Sequence, residues 1–144
     1  MEFGDHWIPE EHIIKKTKYC FVFVNIRPFL PYHLLVSPIR KEGRLNGLSS
    51  EEYIDLMSLL KLTTTSLDSL GTSWTVILQD GEDAGQTVQH VHFHVIPRTK
   101  GDLSRNNDIY NKINVDVKRP DRNFEEMKEE ANFLRSFFKE NTTI

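Results

Sequence analysis

The sequence predicts an α+β domain, an antiparallel sheet of about five strands with two principal helices packed on one side. Three observations predict it. Apolar runs of strand length occur at 19–26, 33–39, 74–79 and 90–96. Two longer stretches, 49–71 and 123–138, repeat apolar residues at helical spacing behind capping residues. The strands come in neighbouring pairs joined by turn-forming residues, which favours antiparallel hairpins. At 144 residues the chain suits a single domain, 1–144, with one core.

Residues 1–12 mix Phe3, Trp7 and Ile8 with charges and read as an irregular arm able to line a pocket. Tyr19 to Ile26 is a strand rich in Phe and Val. Arg27-Pro28-Phe29-Leu30-Pro31 is a turn stiffened by two prolines, and His33 to Ile39 is a second strand, ended by Pro38. Strand alternation puts Phe21, Phe23 and Asn25 on one face of the first strand, and His33, Leu35 and Ser37 on one face of the second. Where Asn25 and His33 face a site, Phe23 and Leu35 face it too, giving an apolar slot with a polar end.

Leu48-Ser49-Ser50-Glu51-Glu52-Tyr53 opens a helix, with Ser49 as N-cap, Glu52 closing a capping box and Leu48 stapling onto Tyr53. Its apolar stripe is Tyr53, Leu56, Met57, Leu60 and Leu67, with Gly71 as terminator. Trp74 to Gln79 is the next strand. After Pro97 the chain turns polar, and 98–112 reads as a mobile loop bearing Arg98, Lys100, Arg105 and Lys112, either a solvated connector or a lid over an anion. Asn123 with Glu126 caps a last helix whose buried stripe is Met127, Ala131, Leu134 and Phe138.

Composition narrows the function classes. Net charge is −3, from 18 basic and 21 acidic residues, so bulk positive charge does not drive binding to nucleic acid. The lone Cys20 suits a reducing compartment. No stretch reaches membrane-spanning length, and a cytosolic or nuclear protein is expected, with neither membrane nor nucleic acid as partner.

The chemistry concentrates in His90-Val91-His92-Phe93-His94-Val95-Ile96. Strict alternation puts three imidazoles on one strand face with neighbours about 7 Å apart. Such a row can hold zinc with a water in the fourth position, or one imidazole can attack while its neighbours supply hydrogen bonds and protons. The preceding loop, 79–89, carries two glycines and the amides of Gln79 and Gln86. Glutamine is a poor zinc ligand and a useful neutral donor to phosphate oxygens.

The run His90-x-His92-x-His94 followed by two apolar residues resembles the signature of the histidine triad nucleotide hydrolases and transferases. The lead-in Gln79-Asp80-Gly81-x-x-Ala84-Gly85-Gln86-Thr87-Val88-x-His90 is similar to one branch, the fragile histidine triad dinucleoside triphosphate hydrolases. The likeness extends to Phe3-Gly4-x-His6-x-Ile8, Val24-Asn25-x-x-Pro28, His33-x-Leu35-Val36-x-Pro38 and Arg105-Asn106-x-x-Ile109-Tyr110. It implies attack on the α-phosphate of a dinucleoside polyphosphate, as in cleavage of diadenosine triphosphate to AMP and ADP through a covalent nucleotidyl-histidine.

By the same resemblance His92 maps onto the nucleophile. His90 and His94 flank it, holding its tautomer and touching phosphate or leaving group, and His33 braces the triad. Gln79 and Gln86 match the amides that grip phosphate, Asn25 the ribose contact, and Phe3, Ile8, Phe23 and Leu35 the base pocket. Tyr110 matches a loop tyrosine. Magnesium or manganese arrives with the polyphosphate and no metal is held tightly by the chain. Members of the family pair as symmetric dimers whose sheets join. One departure stands out: Pro31-Tyr32-His33 replaces the family's Pro-Gly-His, so the turn is reshaped or strained and Tyr32 is able to narrow the site's edge. A zinc hydrolase, a nucleotide-sensing module with slow turnover, and a phosphoramidase or phosphorylase branch are the competing readings.

Overall fold

A computed structural model describes residues 1–114 and 119–138 of the chain, without the side chains of 112–114. The main sheet has five antiparallel strands, β3 (Ile13–Lys16), β4 (Cys20–Val24), β5 (Leu34–Pro38), β6 (Ser73–Leu78) and β7 (Phe93–Arg98), in the order β3-β4-β5-β7-β6. The β4–β5 hairpin is the expected one, with Cys20 opposite Pro38 and Val24 opposite Leu34. The fifth strand comes from 13–16, just beyond the arm. That arm is not wholly irregular: β1 (Glu2–Phe3) and β2 (His6–Trp7) form a small hairpin around Gly4, whose φ is 58°.

Strand alternation sorts the two faces as expected. Val22, Val24, Leu34, Val36 and Val95 pack beneath α1 (Ser50–Ser66) and α3 (Phe124–Phe138). Phe21, Phe23 and Leu35 point the other way and meet Phe3 and Ile13. The α1 capping box forms, with Glu52 N–H donating to Ser49 Oγ at 3.1 Å and Ser49 N–H to Glu52 Oε1 at 2.9 Å. Its buried stripe is rotated from the expected one: Glu52, Leu56, Leu59, Thr63 and Ser66 face in, and Tyr53 is 43% exposed. Glu52 on that face also accepts from Arg40 Nη2, at 3.0 Å, which pairs its charge where it is buried. Gly71 is not the terminator, since a 3₁₀ turn at Asp68–Leu70 follows α1 directly.

On α3, Asn123 Oδ1 accepts from Glu125 and Glu126 N–H at 2.8 and 3.2 Å, and Met127, Ala131, Leu134 and Phe138 are buried as expected. The 98–112 segment is more anchored than a mobile loop. Arg98 ends β7 and grips Asp102 with two bonds, 2.8 and 2.9 Å, holding its carboxyl down at about 2, chiefly through those bonds. Beyond it α2 (Asp108–Asn114) inserts Ile109 into the interior. The Lys112 side chain lies outside the described residues. No helix among the described residues is long and apolar enough to cross a membrane.

Candidate active site

The histidine run is only half strand. The β7 ladder begins at Phe93, paired with Leu78 on one side and Val36 on the other. Before it, His90, Val91 and His92 leave regular pairing with the last residues of β5: Pro38 has no N–H, and Ser37 Oγ donates to the Val91 carbonyl at 2.9 Å in place of a ladder bond. Val91 N–H turns instead to Glu42 O, 2.7 Å away. The row persists, with His92 and His94 ring centroids 5.1 Å apart, but the expected strand over 90–96 starts three residues late.

Main-chain donors and acceptors assign each tautomer. Gly4 N–H donates to His90 Nδ1 at 3.0 Å, so His90 Nε2 carries the proton and donates to Pro38 O at 2.7 Å. His90 is 0% exposed and both nitrogens are engaged, so its side chain is a brace inside the wall and reaches no phosphate. His92 Nδ1–H donates to the His90 carbonyl at 2.7 Å, which leaves a lone pair on His92 Nε2. The residue that holds the His92 tautomer is therefore His90, through its main chain. At the other end Phe29 N–H donates to His33 Nδ1 at 3.0 Å, and His33 Nε2–H donates to His94 Nδ1 at 2.9 Å. His94 is left with its proton on Nε2.

All four imidazoles are held below their ordinary value, foremost by burial. For His94, burial and then the charge of His92 bring it to about 3. At neutral pH the row is uncharged, with one available lone pair at its centre and one N–H beside it. In these tautomers the triad lone pair left unengaged among the described residues is the one on His92 Nε2.

Phe3, Phe23 and Leu35 come together as the expected apolar wall, with Ile8 packed against it. Phe3 meets Phe23 edge-on at 5.0 Å and lies 5.0 Å from the His92 ring, so the wall abuts the central histidine. Asn25 is buried beside His33, its Nδ2 3.3 Å from His33 Nε2 and its Oδ1 accepting from Arg27 N–H at 2.9 Å. Gln79 directly follows Leu78, the last residue of β6, which pairs with Phe93 at the start of β7. Gln86 departs from its expected role. Its Oε1 accepts from Gly81 N–H at 2.7 Å, and both amide hydrogens go to Gly43 O and Val88 O at 2.8 and 2.9 Å. It knits the loop together and has no hydrogen left for phosphate.

Tyr32 keeps the glycine-like turn, φ 63°, the only positive φ outside glycine among the described residues. Its ring stacks on Phe133 of α3 at 5.9 Å, on the helix-covered side, so it does not narrow the site's edge. Tyr110 is half-exposed on α2. Two contributors escaped the sequence. Gly4 acts through its main chain, and a Cβ there would fall 2.7 Å from Val88 Cγ1. Phe29 packs its ring 4.7 Å from His33 and 6.1 Å from His94. The glycine in Phe3-Gly4 is the one signal that could have revealed the first.

Comparison with known proteins places this geometry. The HIT domain family model matches residues 8–101. The chain is 41% identical over 141 residues to a bis(5'-adenosyl)-triphosphatase of Dictyostelium discoideum, covering 96% of this chain and 93% of that protein. The solved Plasmodium falciparum diadenosine triphosphate hydrolase, in complex with cyclomarin A, superposes with TM-score 0.76 at 33% identity, over 99% of this chain and 86% of that one. The Caenorhabditis elegans NitFhit structure gives TM-score 0.78 at 39% identity, over 95% of this chain and 30% of that longer protein.

Proposed function

The chain belongs to the HIT domain family, in its fragile histidine triad branch, and we propose that it hydrolyses diadenosine triphosphate to AMP and ADP. The observation that carries the mechanism is the lone pair on His92 Nε2, fixed by the 2.7 Å bond from Nδ1–H to the His90 carbonyl. Nε2 attacks the α-phosphorus, the bond to the bridging oxygen breaks, and ADP leaves with the electron pair. The imidazole, now bonded at both nitrogens and cationic, keeps Nδ1–H on that carbonyl, which stabilises the charge. Water then attacks the phosphorus and gives up one proton to solvent, the P–N bond breaks with its electron pair returning to Nε2, and AMP departs with neutral His92 restored.

His94 Nε2–H is positioned to donate to the departing or a non-bridging oxygen, and His33 aims it from behind. Gln79 supplies an amide to the phosphate, Asn25 meets the ribose, and Phe3, Ile8, Phe23 and Leu35 hold the base. Gln86 serves by shaping the loop. Magnesium or manganese enters with the substrate, coordinated by phosphate oxygens. Two chains pair into a homodimer. The outer edge of β6 supports this, ending the sheet with Val76 41% exposed among the described residues. The buried free thiol of Cys20 suits a reducing cytosolic or nuclear compartment.

Product analysis on diadenosine triphosphate with magnesium tests the reading, and AMP plus ADP in equal amounts is expected. Faster turnover of adenosine 5'-phosphoramidate would move the chain to the phosphoramidase branch. Acid quench with α-labelled substrate is expected to trap label on His92.

A further inference from the structure

Three arginines surround the turn that carries Asn25 and Phe29, and two are neutralised. Arg27 Nε pairs with Asp121 at 2.7 Å, and Arg122 pairs with Glu130 while donating to Asn25 O at 3.1 Å. Arg119 differs. Its guanidinium lies over the Phe29 ring, 4.0 Å from the centroid, and its Nε is buried with no hydrogen-bond partner among the described residues. Among the described residues it makes one long hydrogen bond, Nη2 to Arg27 O at 3.5 Å, and no carboxylate pairs with it. Burial and then the charge of Arg27 lower its pKa, and its own charge in turn helps to lower that of His33. A partly buried guanidinium that meets no anion among the described residues is costly for a protein to keep, unless an anion arrives. The Phe29 ring beneath it also packs on His33 and His94, the end of the row whose N–H faces the leaving group.

We propose that Arg119 binds the phosphate chain on the leaving-group side and so favours substrates that carry phosphates beyond the one attacked. This rests on the reading of the chain as a dinucleoside polyphosphate hydrolase. The planar fork can donate to phosphate oxygens from Nε and Nη while remaining stacked on Phe29. Arg119 is a binding residue here, and its loss leaves the His92 chemistry intact.

The test compares R119Q and R119K with wild type on two substrates, diadenosine triphosphate and adenosine 5'-phosphoramidate, which has no second phosphate. R119Q is expected to raise KM for the first about tenfold, the scale of a lost charged hydrogen bond, with kcat nearly unchanged. KM for the phosphoramidate stays within about twofold, and R119K, keeping charge but not the fork, shifts the ratio about threefold. Equal losses on both substrates mark Arg119 as a structural pin for Phe29 and overturn the proposal. So does an unchanged ratio, in R119K alone should R119Q not fold. Binding of a methylene-bridged diadenosine triphosphate against AMP separates the two readings. If wild type prefers the analogue, R119Q loses that preference and neither turns substrate over, the hydrolase reading fails while this site stands. Wild-type hydrolysis with an undiminished preference in R119Q sinks this site alone.

Discussion

At one end of the row His90 has both ring nitrogens on main-chain groups, Gly4 N–H and Pro38 O; at the other His94 gives one nitrogen to His33 and keeps Nε2–H. The first end is closed within the protein, tying the amino-terminal hairpin to the end of β5. The second is held by a relay of side chains and still has a donor to offer. Between them His92 takes its orientation from the main chain of one neighbour and faces the ring of the other. Identical residue types two apart thus serve different purposes, and what separates them is how many nitrogens the main chain claims.

The comparison breaks most visibly at its centre. Removing the attacking nitrogen by His92→Asn is expected to lower kcat by on the order of 10⁵-fold or more, with binding of a non-hydrolysable analogue retained. No labelled nucleotide should be trapped on the variant. His94→Asn should lower kcat by about 10²–10³-fold, the scale of an oriented donor, with melting temperature little changed and label still trapped on His92. Trapping lost together with activity in the His94 variant would mean that the two histidines share the attack.

His90→Asn shifts the loss from chemistry to stability. Asparagine cannot reach both Gly4 N–H and Pro38 O, and each buried group left unpaired costs about 1–3 kcal/mol. Chemical denaturation should show that loss, with a smaller fall in kcat than His94→Asn produces. A His90 variant as stable as wild type but inactive would put a catalytic role back on its ring.

The two ends also differ in how far they are legible in the amino-acid sequence. Alternation disclosed which residues share a face, because every second residue of a strand must share a side; that Phe23 and Leu35 face the site followed once the family resemblance set Asn25 and His33 there. The division of labour was hidden, since it depends on where the ladder stops. That point is decided by Pro38 and Ser37, more than 50 residues before the row. Gln86 hides its role for a similar reason: an amide in a glycine-rich loop looks available in sequence, whereas carbonyls of Gly43 and Val88 take its hydrogens. The α1 stripe slipped because a charged residue, Glu52, turned out to face inward beside Arg40. Arg119 could not be found from sequence, its partner Phe29 lying 90 positions away.

Acid sharpens the same contrast. His33, His90, His92 and His94 are all held below 6.5 in the fold, so the unfolded chain binds more protons between that value and each folded value. Their stabilising contribution is complete above about pH 6.5 and is lost as pH falls, at up to about 1.4 kcal/mol per unit for each group. The melting temperature should therefore drop between pH 7.5 and 5. The His94→Asn variant should show a shallower slope, because a group whose folded value is about 3 has been removed. Asp102 does not intervene there, its carboxyl titrating at about 2 folded and near 3.8 unfolded. An equal slope in the variant would place the proton uptake elsewhere.

The smallest effect is expected at Tyr32, beside the relay end in sequence yet on the opposite face of the sheet. Its φ of 63° costs an L residue about 1–2 kcal/mol, which glycine would relieve. Glycine would also give up the stack on Phe133, about 0.5–1.5 kcal/mol, and add about 0.4–1 kcal/mol of unfolded-chain entropy. These terms nearly cancel, so Tyr32→Gly should change stability by less than about 1 kcal/mol and leave both KM and kcat for diadenosine triphosphate as they are. Tyr32→Asn separates the parts, since asparagine tolerates the left-handed region without glycine's extra freedom but cannot replace the ring. Were KM to move several-fold in both variants with melting temperature constant, the tyrosine ring would have to reach the nucleotide, and the sorting of the two sheet faces would be wrong.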